Sequence, residues 1–515
     1  MTAAAILCMA LSLAGGQDAK PKKIVFLAGP LDTHPKETHE YERNVILLKH
    51  CLMTSPSLKN VRVDVHFNGW PDDPATLEDA DTIFITSRGS EAKADGNHPF
   101  YVGDRLAVLE KQMARGCGLV QFHWSTFNPV KHHDKITEWV GGYFDAEGPE
   151  GKWFSKLATR EWQTTIGAPD HPVARGVKPF TVKEEFYFNL RFREGDPRLQ
   201  PILKCSEGTV GYAVERKDGG RGFGFTGGHF YANWWNPDFR RLVLNAIAWT
   251  AKIDVPAGGI ESTLGDPIRI TILTGTHYPA HEWKITTPAF ISVVEQDPRV
   301  QITVTEDLND LTKLEKQHAL VLNYMNWQKP GLSEEQKQAL VRFLQGGGGL
   351  VVFHGATGVW NDSLCPKESH WPEFRDKITA RWWATKSGHD NFGPVRVENV
   401  APDHEITRGL APFDTQDELY VNLGGENGVP LVAAQSKVAG RQEPLAWAHS
   451  YGKGRVFVTA LGHGVVSLRS AGALFRRATV WAAGAPPLAF DPPATQTGKA
   501  VVRPGDWAPK AKPQD

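Results

Sequence analysis

The stretch LSEEQKQALVRFLQGGGGLVVFH, residues 332–354, runs from a predicted helix directly into a predicted strand. Ser333 and Gln336 have the spacing of a capping box, which marks the first turn of a helix. Gly346 follows the last apolar position and is typical of a helix end. The continuous apolar run LVVF then indicates a strand that is buried on both faces. A helix leading into such a strand is typical of a parallel α/β sheet.

The chain carries this passage twice. GCGLVQFHWST from Gly116 parallels GGGLVVFHGAT from Gly347, and their histidines lie 231 residues apart. APDHPVARGVKPFTVKEEFYFN from Ala168 and APDHEITRGLAPFDTQDELYVN from Ala401 are identical at half of their 22 positions. The related passages RGFGFTGGH and RVFVTALGH follow in the same order. Because order and spacing are both kept, the sequence predicts a tandem duplication.

Each copy alternates short apolar strands with helical segments, which predicts an α/β fold with mainly parallel sheets covered on both faces. At 515 residues the chain is long enough for two or three domains. The predicted segments are a signal peptide at 1–16, domains at 22–253 and 268–484, a linker at 254–267 and a Pro-rich tail at 485–515.

Composition limits the class of protein. Lys plus Arg number 57 against 58 Asp plus Glu, a balance that argues against a nucleic-acid-binding protein. The apolar run at residues 3–14 is too short to span a membrane, and small residues before Gln17 resemble a signal-peptidase site. We therefore expect export to the periplasm or the cell exterior, without a membrane span. The four later cysteines lack Cys-x-x-Cys spacing and are expected to be buried free thiols.

Candidate site residues follow from a rule about strand ends. Ligands of an open parallel sheet bind beyond the carboxyl ends of its strands. In the second copy this rule selects His277, Asn326, His354 and His463, and in the first copy it selects His123 and His229. For any one of these histidines, the alternative is a core side chain with satisfied hydrogen bonds.

The repeated passage adds polar side chains. If DELYVN is a strand, its period of two places Glu418, Tyr420 and Asn422 on one face and apolar residues on the other. The first copy keeps the same residue types, with Glu185 in place of Glu418. The alternative is a half-buried strand with a solvated polar face.

A carboxylate with two imidazoles in each copy suits two kinds of site. One performs general acid–base chemistry on a sugar near neutral pH. The other is a His–Glu–His metal centre, for which zinc is the first candidate. Spacing does not decide, because the three residues come from separate segments, and no His-Glu pair has the second histidine of a zincin helix. We expect no bound cofactor, with a divalent metal such as zinc as the alternative.

Aromatic residues are a further clue. The chain has 17 Trp against 10 Tyr, and many of the tryptophans lie in predicted loops near strand ends. Indole rings stack on sugars, so Trp360 and Trp383 are candidates for substrate binding, together with His389 and Asp390 of the segment SGHDNFG. The alternative is that these tryptophans pack in the core or at its rim.

The passages GGGGLVVFHGATG, DHEITRGLAPFDTQDELY and YGKGRVFVTALGH resemble the ThuA-like (trehalose-utilisation) family. The resemblance covers residues 268–484 and, more loosely, 22–252. It implies a flavodoxin-like, class I glutamine amidotransferase-like fold, in which a nucleophilic cysteine follows a central strand. His354 and His123 stand at that position, so glutamine hydrolysis is not implied. The resemblance also implies catabolism of trehalose and similar disaccharides through 3-keto sugar intermediates.

Two hypotheses for function follow. The first is an exported enzyme acting on disaccharides, glycosides or their 3-keto derivatives, as a hydrolase, lyase or isomerase. Its acid–base groups would be His354, Glu418 and His463, with His123, Glu185 and His229 as their counterparts. The second is a non-catalytic carbohydrate-binding module that uses the same pocket. A Glu418 within hydrogen-bonding reach of His354 or His463 would favour the enzyme.

Overall fold

A computed structural model describes residues 20–90, 97–148, 150, 152–275, 280–327, 331–425, 427–493 and 503–509. The chain divides into two compact units. The first comprises the residues up to 31 and 51–263, and the second comprises 32–50 and the residues from 264 onward. The domain bounds expected from the sequence stay predictions. The candidate signal peptide and His277 lie outside the described residues.

The helices and strands follow the expected alternation. The helices are α1 Tyr41–Met53, α2 Arg105–Ala114, α3 His133–Val140, α4 Pro237–Thr250, α5 Trp283–Val294, α6 Glu334–Gln345, α7 Val465–Ser470 and α8 Gly472–Ala482. The strands of the first unit are β1 Lys22–Ala28, β2 Val61–His66, β3 Thr82–Thr86, β4 Gly118–Phe122, β5 Gly142–Tyr143, β6 Lys156–Gln163, β7 Thr165–Ile166, β8 Thr181–Phe188, β9 Arg191–Phe192, β10 Leu199–Cys205, β11 Gly208–Glu215 and β12 Arg221–Phe225. Those of the second unit are β13 Ile268–Leu273, β14 Val300–Thr305, β15 Ala319–Leu322, β16 Gly349–Phe353, β17 Gly388–His389, β18 Gly393–Asn399, β19 Phe413–Asp417, β20 Tyr420–Val421, β21 Val429–Gln435, β22 Gln442–Tyr451 and β23 Gly454–Thr459.

Each unit contains one large sheet. The strand order is β2-β1-β3-β4-β12-β11-β10-β7 in the first unit and β14-β13-β15-β16-β23-β22-β21-β18-β19 in the second. The first five strands of each order are parallel, and the remaining strands are antiparallel. The two orders correspond strand by strand through the parallel part, so the predicted duplication of an α/β fold is confirmed.

The stretch from α6 to β16 folds as its sequence indicates. The Ser333 hydroxyl accepts a hydrogen bond from the backbone N–H of Gln336, and the Gln336 side chain accepts one from the backbone N–H of Ser333. The capping box is therefore present. Strand β16 is buried along its whole length. A Cβ on Gly349 would lie only 2.1 Å from the carbonyl oxygen of Ala482, so glycine is required where α8 approaches the sheet. This close packing sets the position of the strand that leads to His354.

The remaining expectations concern thiols and membrane spans. Cys51, Cys117 and Cys365 are buried free thiols, as predicted, whereas Cys205 is free but partly exposed. None of the helices in the described ranges is both long and apolar enough to cross a membrane. In the Pro-rich tail, Trp507 packs against the core of the second unit.

Helix α1 carries a buried carboxylate. Glu42 is 7% exposed, and its Oε1 has no hydrogen-bond partner among the described residues. Burial, with a contribution from the charge of Glu40, raises the pKa of Glu42 to about 7, although the charge of Arg503 opposes the shift. The folded protein thus holds this proton more tightly than the unfolded chain, whose carboxyl has a pKa of 4.5. The free energy of unfolding contributed by Glu42 therefore falls as the pH rises from 4.5 to about 7.

Glu42→Gln should stabilise the protein at about pH 8 by roughly 1–3 kcal/mol, because the amide is neutral where the carboxylate is charged. The gain should vanish at about pH 4, where the native carboxyl is protonated. Thermal melting of both proteins at the two pH values measures the difference. Glu315→Gln, at an exposed position, is the control and should show no such pH dependence. An equal gain at both pH values would contradict the prediction.

Candidate functional site

His354 is the first residue after β16 and begins a short 3-10 turn, His354–Gly358. It is buried, and its φ of +48° lies in the left-handed region that few non-glycine residues adopt. Its Nδ1 donates a hydrogen bond of 2.8 Å to the carbonyl oxygen of Ala460. Because a carbonyl oxygen only accepts, a neutral His354 carries its proton on Nδ1 and presents the lone pair of Nε2.

Three side chains converge on that lone pair. His281 Nε2 lies 2.8 Å from His354 Nε2, and His463 Nδ1 lies 3.1 Å from it. Glu418 Oε2 lies 3.3 Å from His463 Nδ1, 3.7 Å from His354 Nε2 and 4.0 Å from His281 Nε2. We call these four residues the histidine–glutamate cluster. It lies beyond the carboxyl ends of the parallel strands β16 and β23.

The charges of the cluster are unevenly distributed. Burial lowers the pKa values of His354 and His281, each to about 3, and nearby imidazoles act in the same direction. Burial alone would raise the pKa of Glu418, but the hydrogen bond and the charge of His463 lower it to about 2. The same hydrogen bond raises the pKa of His463. The cluster thus combines two neutral imidazoles with a carboxylate–imidazole pair.

Tyr420 lies beside the cluster. Its hydroxyl is 3.0 Å from His354 Nε2, and the two ring centroids are 4.5 Å apart. The predicted continuous strand DELYVN is wrong, because β19 ends at Asp417 and β20 comprises only two residues. Glu418 and Tyr420 still point toward the same cluster, as the period of two predicts.

The position of Asn422 differs from the one predicted from the sequence. Its φ of +55° ends the alternation of the strand, since a left-handed residue turns the chain away from the extended path. The side chain is exposed, and its Oδ1 accepts a hydrogen bond of 2.7 Å from Arg441. The structure therefore does not place Asn422 in the cluster.

Three other candidates lie in the core or stabilise a turn. Trp360 is 1% exposed and packs against Trp371 and Phe374 in the core. It was predicted to bind substrate, but a side chain so deeply buried cannot face a ligand. Asp390 accepts hydrogen bonds from the hydroxyl of Ser436 and from the backbone N–H groups of the next two residues, so it stabilises that turn. Asn326 is fully buried near the end of β15.

Aromatic side chains surround the cluster on its accessible side. Trp383 is half-buried, and its ring meets Tyr420 edge-on at 4.7 Å. His389 is exposed, with its ring 6.5 Å from that of Tyr420. Phe392 is 51% exposed, and its ring centroid lies 5.3 Å from that of His463. We call Trp383, His389 and Phe392 the aromatic rim.

The first unit repeats part of this arrangement. His123 follows β4 with a φ of +54°, and its Nδ1 donates to the carbonyl oxygen of Thr226 at 2.8 Å. The hydroxyl of Tyr187 lies 3.0 Å from His123 Nε2. His229 Nδ1 lies 3.7 Å from Glu185 Oε1, a longer separation than that of the corresponding pair in the second unit. The predicted counterparts His123, Glu185 and His229 are therefore neighbours.

Sequence reasoning missed His281. The rule about strand ends selects residues close to the end of a strand, such as His463 four residues beyond β23, whereas His281 stands eight residues beyond β13. One available signal was the His-Glu dipeptide, which occurs at His39 and again at His281. The two lie 242 residues apart, close to the 231 residues that separate His123 from His354.

Asp417 was also missed. It is fully buried, and its carboxylate accepts hydrogen bonds from the backbone N–H groups of Gly462 at 2.9 Å, His463 at 3.3 Å and Glu418 at 2.8 Å, and from the hydroxyl of Ser467. Burial raises its pKa to about 6, although these hydrogen bonds oppose the shift. The Asp417 carboxylate thus holds the turn that carries His463 close to the backbone of Glu418.

Glu184 has the same role in the first unit. Its carboxylate accepts from the backbone N–H groups of Gly228 and His229, both at 3.0 Å. Both acids directly precede the glutamate of their site, on the strand face that also carries apolar residues. A charged residue on such a face was the signal that sequence reasoning overlooked.

The two mainly parallel sheets, each with a histidine after a central strand, define an α/β protein of the class I glutamine amidotransferase-like type. The model of the ThuA family, described as trehalose utilisation, matches residues 58–250 and 269–482. The chain belongs to the ThuA family, and the resemblance seen in its motifs is confirmed.

Several solved structures are similar to parts of this chain. A ThuA-like protein from Parabacteroides merdae is 22% identical and covers 43% of this chain and 92% of that chain, with a TM-score of 0.37. A ThuA-like protein from Bacteroides uniformis is 18% identical and covers 43% and 94%, with a TM-score of 0.35. A β-galactosidase from Bacillus circulans is 11% identical and covers 43% and 32%, with a TM-score of 0.31. No curated protein matches the chain.

Asp417→Asn should lower the free energy of unfolding by roughly 1–3 kcal/mol, because an amide N–H₂ would face N–H groups that need an acceptor. Ser467→Ala removes one donor to the same carboxylate and leaves three, so it is the matched control and should cost less. Thermal or denaturant unfolding of both variants gives the ranking. If Ser467→Ala lowers the free energy of unfolding as much as Asp417→Asn does, the carboxylate does not hold this turn in the way described.

Proposed function

We propose that this protein is a carbohydrate-processing enzyme whose catalytic centre is the histidine–glutamate cluster of the second unit. The observation that carries the proposal is the position of Glu418, whose Oε2 lies 3.3 Å from His463 Nδ1 and 3.7 Å from His354 Nε2. Carboxylates and imidazoles within such reach of one another suit the transfer of protons to and from a bound substrate. Membership of the ThuA family supports a carbohydrate as the substrate.

The finer parts of the proposal rest on the sequence. The family's description, trehalose utilisation, supports a disaccharide as the substrate. Glycosides and 3-keto derivatives are included because the motif resemblance implies them. The apolar N-terminal segment supports export. A histidine after each central strand supports chemistry other than glutamine hydrolysis. Burial raises the pKa of the Cys117 thiol, which precedes β4, to about 12, so this thiol is a poor nucleophile at neutral pH.

The second candidate function is carbohydrate binding without catalysis. The aromatic rim favours it, because aromatic faces stack on sugars without chemistry. The cluster favours the enzyme, because buried groups with strongly shifted pKa values are more typical of catalytic sites than of simple binding sites. Glu418 also satisfies the criterion set from the sequence, since it lies beside His463 rather than away from the histidines.

Removal of the strand-end histidine in each unit tests this proposal. His354→Ala should lower turnover by roughly 10²–10⁴, the contribution typical of a group that acts in proton transfer. His123→Ala, the matched variant of the first unit, should have a smaller effect. Turnover on a panel of disaccharides and 3-keto glycosides is measured together with the melting temperature, so that lost folding is not read as lost catalysis. If His123→Ala alone abolishes turnover, the catalytic centre lies in the first unit.

Substitution of Phe392 tests the role of the rim. Phe392→Ala should raise KM roughly 2- to 10-fold and leave kcat nearly unchanged, because stacking contributes about 0.5–1.5 kcal/mol. Phe392→Tyr keeps the ring and should restore the KM of the native protein. If the KM of Phe392→Tyr is as high as that of Phe392→Ala, the ring does not stack on the substrate.

A further inference from the structure

The lone pair of His354 Nε2 has more polar neighbours than it can accept. His281 Nε2 lies at 2.8 Å, the Tyr420 hydroxyl at 3.0 Å and His463 Nδ1 at 3.1 Å. Because Nδ1 donates to Ala460, Nε2 of the neutral ring has a single lone pair and accepts one well-formed hydrogen bond. At most one of these three groups can therefore donate a well-formed hydrogen bond to His354 Nε2.

A cation at the centre of the cluster resolves the crowding, since each nitrogen would then direct its lone pair at the ion. We propose that His281, His354, His463 and Glu418 bind one divalent ion of the first transition row, with zinc as the first candidate. Binding of the ion is a property of the cluster itself, whereas its catalytic role rests on the function proposed above.

The distances fit such an ion. With ligand bonds of about 2.0–2.2 Å, the donor atoms of a tetrahedral zinc site lie roughly 3.3–3.6 Å apart. Five of the six separations between the donor atoms are 2.8, 3.1, 3.3, 3.7 and 4.0 Å, which spread around that value. All four donor atoms lie within 4.8 Å of one another. Small side-chain rotations would therefore complete the coordination.

The donor types indicate which ions are suitable. Three imidazole nitrogens and one carboxylate oxygen suit zinc and its neighbours in the first transition row. Calcium and magnesium prefer oxygen ligands, so the cluster does not suit them.

The surroundings have the features of a metal site. A metal-binding histidine usually donates its second N–H to a carbonyl or a carboxylate, as His354 Nδ1 does to Ala460. Asp417 holds the backbone of both His463 and Glu418, so it fixes two of the proposed ligands at once. These contacts reduce the conformational freedom that binding would otherwise have to remove.

One side of the cluster remains accessible. The side chains of His463 and Glu418 are 20% and 17% exposed, against 3% for His354. A water or a sugar oxygen could therefore reach the ion from the side of the aromatic rim. There the ion would polarise a sugar oxygen or lower the pKa of a bound water, the two roles that zinc has in hydrolytic and carbonyl chemistry.

Metal binding is measured on the full chain, without a substrate. The protein is freed of metal with a chelator and titrated with Zn²⁺ by calorimetry, and Co²⁺ is used as a second probe because its visible absorption reports nitrogen and oxygen ligands in a tetrahedral site. His463→Ala and the isosteric Glu418→Gln should each weaken one site by at least roughly 10–100-fold, the loss typical even of outer-shell changes. His404→Ala, a half-buried histidine of the same unit outside the cluster, is the control and should bind as the native protein does.

Comparison of each variant with the native protein separates this site from any other metal-binding group. The proposal is overturned if the native protein takes up neither ion, or if both cluster variants bind with the native stoichiometry and affinity. A variant that fails to fold is recognised by its melting curve, and the other variant then decides. Loss of the metal site with unchanged turnover would overturn the catalytic role of the ion but leave the enzyme proposal intact. Tight binding without any action on sugars would keep the metal site and overturn the enzyme proposal.

Discussion

The parallel pairing of β16 with β23 determines where the reactive side chains stand. In this register Phe353 lies opposite Thr459, so the next residues, His354 and Ala460, are neighbours as the strands end. The imidazole of His354 donates a hydrogen bond to the Ala460 carbonyl. A side chain thus extends the hydrogen bonding between β16 and β23 beyond the last backbone pair. The strand register thus selects the tautomer of the central histidine, and a slip of one residue would remove its acceptor.

A second constraint is a buried carboxylate in each unit, which binds the backbone of the site residues. Asp417 and its counterpart Glu184 are carboxylates with almost no exposure, and a buried charge is costly unless it is hydrogen-bonded. Each accepts two backbone N–H groups from the turn that carries the second histidine of its site. Aspartate serves in one unit and glutamate in the other, so the shared requirement is an acceptor at this place rather than a particular length of side chain. These hydrogen bonds offset the cost of burying the carboxylate, and they also hold the two neighbouring site residues in place.

Much of the fold could be predicted from the sequence, because capping residues and apolar runs specify local structure. The duplicated passages then show that the same fold occurs twice. The same is true of His354, His123, His463 and His229, which stand near strand ends in a parallel sheet. His281 and Asp417 depend on contacts between distant segments, for which a single sequence has no local signal of comparable strength. Asn422 lies outside the cluster because a left-handed residue ends the strand, and Trp360 lies in the core, which encloses its indole ring. Neither event is visible in a pattern of residue types.

The two units also show which parts of the site depend on the backbone and which on side chains. In the first unit Phe122 lies opposite Phe225, so His123 and Thr226 are neighbours at the strand ends, and the same tautomer results. This feature persists in both units because it needs only the register of the sheet and a histidine after the strand. The aromatic rim depends on individual loop residues, and loops tolerate change more readily than paired strands. Divergence between the copies should therefore alter what is bound before it alters the central histidine, since a change in the rim leaves the pairing of the strands intact, whereas loss of the register would displace the whole cluster.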